Sequence, residues 1–252
     1  WSSNLRDGYR SVGGDIRRHH RVRLQFPRYF PIDRFVIPPW DARPGLSAGR
    51  PFAGDEVVVS CIRGDFGLDR GLQSFIEAMA KARAAVTLDI RGSNRWGHGD
   101  ALLALARGLS IGDRVKLLPM ASPGEMVQLA SLYDIGLSLE TDVSENRRIC
   151  LTNKIFTYLL AGVPVIMSDT PAQSRLAPDL GAAARLCSLA DPAGLASTLD
   201  ELASEAILAE AAAEAWRLGR ERYNWDREQA ILLRSVAEAF DRAGRPAGKA
   251  AS

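Results

Sequence analysis

From Glu56 onward the chain alternates between two hydrophobic rhythms. Glu56–Cys61 (EVVVSC) is a short, β-branched apolar run of the kind that fills a buried strand. Leu72, Phe75, Ile76, Met79 and Ala80 then recur at helical spacing and predict an amphipathic helix. Ala84–Arg91 reads as a strand ending at Gly92, Asp100–Leu109 as a helix and Val115–Leu118 as a strand. Ser122-Pro123-Gly124-Glu125 offers an N-cap, a first-turn proline and a glutamate that closes a capping box. A helix is expected from there to about Tyr133, then a strand over Ile135–Leu139 and a loop to Thr152. Asn153–Ala161 predicts a helix stopped by Gly162, followed by strands at Val163–Ser168 and Ala183–Leu186. Asp191-Pro192 caps one more helix, and Ala206–Ala243 reads as helix interrupted near Tyr223-Asn224-Trp225.

This alternation predicts an α/β fold: a Rossmann-like parallel sheet of about six strands between residues 56 and 186, with helices on both faces and C-terminal helices after it. Ligands of such sheets sit beyond the carboxyl ends of the strands. Before residue 56 the reading is thinner. Val22–Phe30 and Arg34–Ile37 are candidate short strands, and Pro38-Pro39 ends regular structure. Residues 41–54 are rich in Pro, Gly, Ala and Arg, which predicts a linker and a domain boundary. The tail, residues 244–252, is expected to be disordered.

Composition narrows the function classes. The 252 residues, 46% hydrophobic and 25% charged with a net charge of +2, suit one or two soluble globular domains. No run approaches the ~18 apolar residues of a membrane span, and no secretory leader is legible. Cys61, Cys150 and Cys187 lack C-x-x-C spacing, which argues against a disulfide scaffold or a cysteine-rich zinc site and for a cytoplasmic setting. The first 50 residues hold ten arginines against four aspartates, a bias that suits phosphates, an anionic membrane surface or simply a solvated face. G-x-G-x-x-G after the first strand, G-x-x-x-x-G-K-[ST] and D-x-D are all absent. Asp65-Phe66-Gly67 lacks the companion motifs of a kinase, and His19, His20 and His98 have no partners at metal spacing and read as surface residues.

The most informative segment is Leu151–Asp169, LTNKIFTYLLAGVPVIMSD. A loop enters a capped helix that ends at a glycine and leads into a buried strand. The helix follows a sheet strand, so its start belongs at the carboxyl edge, where unbonded backbone N–H groups and the dipole attract anions. Thr152 is the expected N-cap, and Lys154 adds a full positive charge. An ordinary capped helix with a solvated lysine satisfies the same pattern.

That run (NK-x-F-x-Y-x-x-AG-x-PV-I-x-SD) resembles the C-terminal nucleotide-binding domain of GT-B fold glycosyltransferases, especially glycosyltransferase family 4. Collinear pieces add to the resemblance: Gly64 with Arg70-Gly71-Leu72, Asp113-Arg114-Val115 through Leu118, Glu125, Tyr133-Asp134-Ile135-Gly136-Leu137, and Tyr223-Asn224-Trp225-Asp226. Together they cover residues 54–242. The resemblance implies a glycosyltransferase, retaining and of hexosyltransferase type. It would move a sugar from a nucleotide-diphosphate sugar to a sugar, lipid-linked or other acceptor in bacterial surface polysaccharide or glycolipid synthesis. No metal or other cofactor and no nucleic acid are implied, and peripheral contact with a membrane surface would suit the basic start.

The resemblance also implies residue roles. Lys154, with Asn153 and Thr152, would bind the donor diphosphate, aided by Arg70 or Arg63. Pro119 and Met120 would flank the base, Gly92 and Ser93 would line the cleft, and Asp142, Glu145 and Asn146 would read the sugar. No catalytic residue is identified. The family commonly has two glutamates eight positions apart, the second binding ribose; here those positions are Ile149 and Thr157. A GT-B enzyme also needs a first Rossmann-like domain, for which residues 1–48 are too short. They resemble its end plus the linker, with 49–222 as the donor domain and 223–243 as a helix packing towards the missing domain. The chain, which begins at Trp1, is thus expected to be a fragment inactive by itself. A non-catalytic nucleotide- or partner-binding module is the competing reading. A GT-B epimerase is a weaker one, for want of paired carboxylates and histidines.

Overall fold

The computed structural model describes residues 56–244. The two short strands expected before Pro38, the 41–54 boundary and the tail after Gly244 lie outside the described residues. Six strands form one parallel sheet in the order β3-β2-β1-β4-β5-β6, where β1 is Val57–Asp65, β2 Val86–Ser93, β3 Val115–Leu118, β4 Ile135–Ser138, β5 Val165–Ser168 and β6 Ala184–Cys187. The chain winds outward from β1 to β3, then returns to lay β4 against the other side of β1. That reversal is the topological switch point, where a crevice opens at the carboxyl edge.

Helices cover both faces. They are α1 (Leu72–Lys81), α2 (His98–Gly108), α3 (Met126–Ala130), α4 (Glu145–Ile149), α5 (Asn153–Leu160), α6 (Pro171–Leu180), α7 (Pro192–Leu202), α8 (Glu205–Glu221) and α9 (Trp225–Gly244). Four of the five residues in the predicted stripe of α1 lie on the face it buries, Leu72, Phe75, Ile76 and Met79 being fully enclosed; the fifth, Ala80, is exposed, and Ala78 is buried with the others. Each such side chain contributes roughly 1.5–3 kcal/mol when taken out of water. One core runs from the strands into α1, α2 and α7; a second joins α3, α5, α6 and α8.

The capping logic holds at the end of α5 and the start of α7. Gly162 has φ 67°, with Gly162 N–H on Leu159 O (3.0 Å) and Val163 N–H on Tyr158 O (2.9 Å). This paired closure of a helix end suits glycine at its left-handed position. The Asp191 carboxylate accepts from Gly194 N–H at 2.9 Å, opening α7.

Three expectations need correction. The Ser122–Glu125 segment is a turn, not the first turn of a helix: Glu125 N–H bonds Ser122 O, and its carboxylate takes both Ser122 N–H (3.1 Å) and Oγ–H (2.5 Å). The serine hydroxyl is spent on the glutamate, so α3 starts only at Met126. The expected loop before Thr152 contains α4, capped by Ser144, whose Oγ accepts from Arg147 N–H at 3.4 Å. And α6 occupies a stretch that had no predicted element; Pro171 opens it, and Pro178 lies within it near the end.

Pairing between β1 and β4 is brief: Val59 opposite Ile135 and Ser60 opposite Gly136. Beyond it a side chain takes over. Tyr158 Oη accepts from Ile62 N–H at 3.0 Å and donates to Ser60 O at 2.9 Å. The Tyr158 ring fills the space where a Cβ on Gly136 would project, so that position has no room for a side chain. The strands can therefore part at the switch point while these β1 polar groups stay satisfied.

Candidate functional site

Three chain segments converge on the crevice. The first is the turn after β1, which ends at Gly71 with φ 73°. A side chain there would be strained by the left-handed backbone and would meet Leu189. Arg70 immediately precedes it. The second is the end of β4, where Ile135–Leu139 are buried and the next residue is an acid, Glu140. The third is the start of α5, carrying Thr152, Asn153 and Lys154.

Glu140 joins the other two. Its Oε2 lies 2.6 Å from Arg70 Nη1 and its Oε1 lies 2.9 Å from Lys154 Nζ. The Glu140 side chain is 1% exposed, against 15% for Lys154 and 35% for Arg70. A carboxylate this deep requires compensating charge, and the two cations supply it. Glu140 N–H also donates to Ser168 Oγ at 2.9 Å, fastening the end of β4 to the end of β5. Gln173, whose Nε2 lies 3.4 Å from the same Ser168 Oγ, has its Oε1 buried with no hydrogen-bond partner among the described residues, and so is Thr170 Oγ1.

A second cross-link closes the lips of the crevice. Arg147, from α4, donates to Asp69 O (3.0 Å), to Thr141 Oγ1 (3.2 Å) and to the Asp69 carboxylate (2.6 Å). Thr141 Oγ1–H donates to the same Asp69 carbonyl at 2.6 Å. The turn after β1 and the loop after β4 are therefore stitched together. The Arg147 guanidinium holds the Asp69 carboxyl below its usual range, against a smaller opposing push from burial.

The sequence-predicted residues fare unequally. Arg70 and Lys154 meet at Glu140. Thr152 occupies the N-cap position of α5, but its hydroxyl makes no cap bond; it pairs with Ser138 Oγ at 3.0 Å. Asn153 is exposed at the first turn. Thr157 is 6% exposed, and its hydroxyl donates to Asn153 O at 3.1 Å, back into its own helix. Asp142 and Glu145 both face Arg148, at 3.2 and 3.8 Å, and Asn146 is exposed on α4. Gly92 is buried on β2, Pro119 O accepts from Arg91 Nη1 at 3.0 Å, and Met120 is 58% exposed. Arg63 lies on β1, and its side chain is outside the described ones. His98, read as a surface residue, is half-buried, its Nδ1 2.9 Å from Phe66 O in the β1 turn.

Sequence reasoning missed Glu140, Arg147 and Ser168. Glu140 had a signal: an acid directly after five residues of buried strand needs a cation nearby. Among the described residues no group of three His, Cys, Asp or Glu side chains could hold a metal ion.

No family model matches the sequence. No curated protein matches it either. Solved structures do. Anabaena Alr3699/HepE in complex with UDP and glucose superposes with TM-score 0.61 at 17% identity, over 74% of this chain and 49% of that one. The C-terminal domain of the glycosyl transferase group 1 family protein LpcC from Francisella tularensis gives 0.54 at 16% identity, over 67% of this chain and 87% of that domain. WaaG, a glycosyltransferase involved in lipopolysaccharide biosynthesis, gives 0.54 at 17%, over 72% and 48%. The chain spans about half the length of HepE and WaaG but most of the isolated LpcC domain. With its 3-2-1-4-5-6 parallel sheet and two helix layers, the chain has the Rossmann-like fold of the C-terminal domain of GT-B glycosyltransferases.

Proposed function

We propose that this chain is the donor-binding part of a glycosyltransferase that uses a nucleotide-diphosphate sugar. One observation carries the reading: Arg70 and Lys154, from two segments far apart in sequence, meet at the switch-point crevice beside the α5 N-terminus. Two cations and a helix start are suited to a diphosphate leaving group, whose charge grows as the glycosidic bond breaks. HepE, a relative in fold, is described with UDP and with UDP-glucose. We carry that ligand class to this crevice, with Gly92, Pro119 and Met120 flanking the base and Asp142, Glu145 and Asn146 near the sugar.

The finer reading is a retaining hexosyltransferase of glycosyltransferase family 4, acting in the cytoplasm without a metal on polysaccharide or glycolipid acceptors. Among the described residues no helix is long and apolar enough to cross a membrane. Residues 1–48 would be the end of an acceptor-binding domain, and 49–222 the donor domain. Helix α9 would pack towards the first domain: Ile231, Leu232, Leu233, Val236 and Phe240 are all exposed along it. The test is calorimetry of UDP and GDP on the 252-residue chain, with weak binding of one expected; no binding of either refutes the donor site. Multiple turnovers of sugar transfer by this chain alone would refute the two-domain reading.

Thr157 favours a second reading. Its hydroxyl is turned into the helix where a ribose-binding carboxylate is common, which fits a module that binds a nucleotide or a partner without catalysis.

A further inference from the structure

We infer that Glu140 is the fixed counter-ion and positioning residue of the diphosphate site, holding Arg70 and Lys154 from behind while the ligand binds their solvent side. This rests on the donor-site reading above. Two roles are open to an acid clasped by two cations: it can hold them for the ligand, or it can stand in for the ligand's phosphate and be displaced by it.

Burial decides between the roles. The Glu140 side chain is 1% exposed, at the end of a strand whose five preceding residues are buried. Drawing both cations away would part a buried carboxylate from two ion-pair partners at 2.6 and 2.9 Å, a step that is strongly disfavoured at this depth. A diphosphate therefore binds on top of the trio and does not replace its acid. The geometry fits that order, because exposure rises from Glu140 to Lys154 to Arg70.

The carboxylate is also held. Ser168 Oγ fixes the Glu140 backbone N–H, and the Ser138–Thr152 hydroxyl contact joins the end of β4 to the start of α5 two residues earlier. One oxygen is aimed at each cation, so Glu140 sets the gap between two groups brought by different elements. Without it, the two like charges would lose the one carboxylate that both are shown to contact, and with it their shared orientation. Positioning of this kind raises affinity by cutting the ordering cost of binding.

The experiment uses the full chain, with UDP and inorganic pyrophosphate as probes. Calorimetry is run on wild type, E140Q, E140D, K154A and E140Q/K154A. E140Q is expected to weaken UDP binding about tenfold, the scale of one charge-assisted contact. In the E140Q background K154A should add less than about threefold, since an unpositioned lysine has little left to lose. E140D keeps the charge but is too short to span both cations, so it should weaken UDP by at least about threefold.

A ligand-free measurement separates positioning from general stability. The chain has four lysines, at 81, 116, 154 and 249. An ammonium proton signal from Lys154, slowed in exchange by its bond to Glu140, should be visible by NMR in wild type and lost in E140Q. Equal or tighter UDP binding in E140Q, or unchanged affinity in a folded E140D, overturns the inference and leaves the donor site standing. Failure of wild type to bind UDP, GDP or pyrophosphate overturns the donor site and this inference with it.

Discussion

Arg147 Nη2 lies 2.6 Å from Asp69 Oδ2, joining two crevice loops that are 78 positions apart in sequence. The contact depresses the folded-state pKa of Asp69. A depressed carboxylate adds stability that is fully present above its unfolded value and lost as pH falls through the folded value. Asp69 is 53% exposed, so screening limits the effect to at most about 1 kcal/mol. Urea unfolding at pH 7 and pH 3 should show a smaller acid-induced loss for D69N than for wild type. Equal losses would remove Asp69 from the crevice cross-link.

Lys154 should matter to ligand and fold at once. K154A is expected to weaken UDP binding by about 1.5–3 kcal/mol, the range for hydrogen bonds to charged groups. It also leaves Glu140 with one cation fewer, so the melting temperature should fall. K154R keeps charge and stability while changing geometry, and should recover only part of the affinity. Calorimetry showing equal affinity for K154A and wild type would contradict the diphosphate assignment.

Thr157 should prove a bystander to the nucleotide, since its hydroxyl is spent on Asn153 O. T157V is expected to change UDP affinity by less than about threefold, under 1 kcal/mol. T157E, by contrast, should increase the preference for ribo- over 2′-deoxynucleotides, because a carboxylate can accept from both ribose hydroxyls. An unchanged preference in T157E would favour the non-catalytic reading.

The Tyr158 wedge should show in stability. Y158F leaves the Ile62 N–H without its acceptor and the Ser60 carbonyl without this donor, at a cost of about 1–3 kcal/mol. G136A forces a methyl into the Tyr158 ring and should cost a similar ~1–3 kcal/mol by overpacking. Denaturant midpoints with unchanged m-values are the readout.

Thiol labelling checks the core. Cys61 and Cys187 are buried, and burial raises the Cys187 pKa; Cys150 is partly exposed. Native protein should react with a maleimide at Cys150 well before the other two, with all three reacting after denaturation. Early labelling of Cys187 would place β6 elsewhere.

The sheet was legible because parallel strands such as Val57–Cys61 and Val165–Ser168 are apolar but for one serine each, and because α1 repeats its stripe over Leu72, Phe75, Ile76 and Met79. Helix α6 was not legible: two prolines and several polar residues blur its stripe, and tertiary packing of Leu176 and Leu180 holds it. At the site, Lys154 and Arg70 could be singled out as cations near a helix start and a strand turn. Their meeting could not, since it depends on Glu140 closing a 70-residue separation from Arg70. Thr152 misled in a different way: its position is that of a cap, but a nearer hydroxyl, Ser138, claims its side chain.

The Tyr158 hydroxyl on the edge of β1 has a further consequence, for aggregation. A strand that parts from its neighbour usually exposes unpaired amides and carbonyls, and such an edge recruits strands from other molecules. Here the amide of Ile62 and the carbonyl of Ser60 are already engaged by a side chain anchored in a helix. A foreign strand would have to displace a buried tyrosine before it could pair there. The sheet can thus keep a cleft open at its centre without offering it as a template for intermolecular pairing.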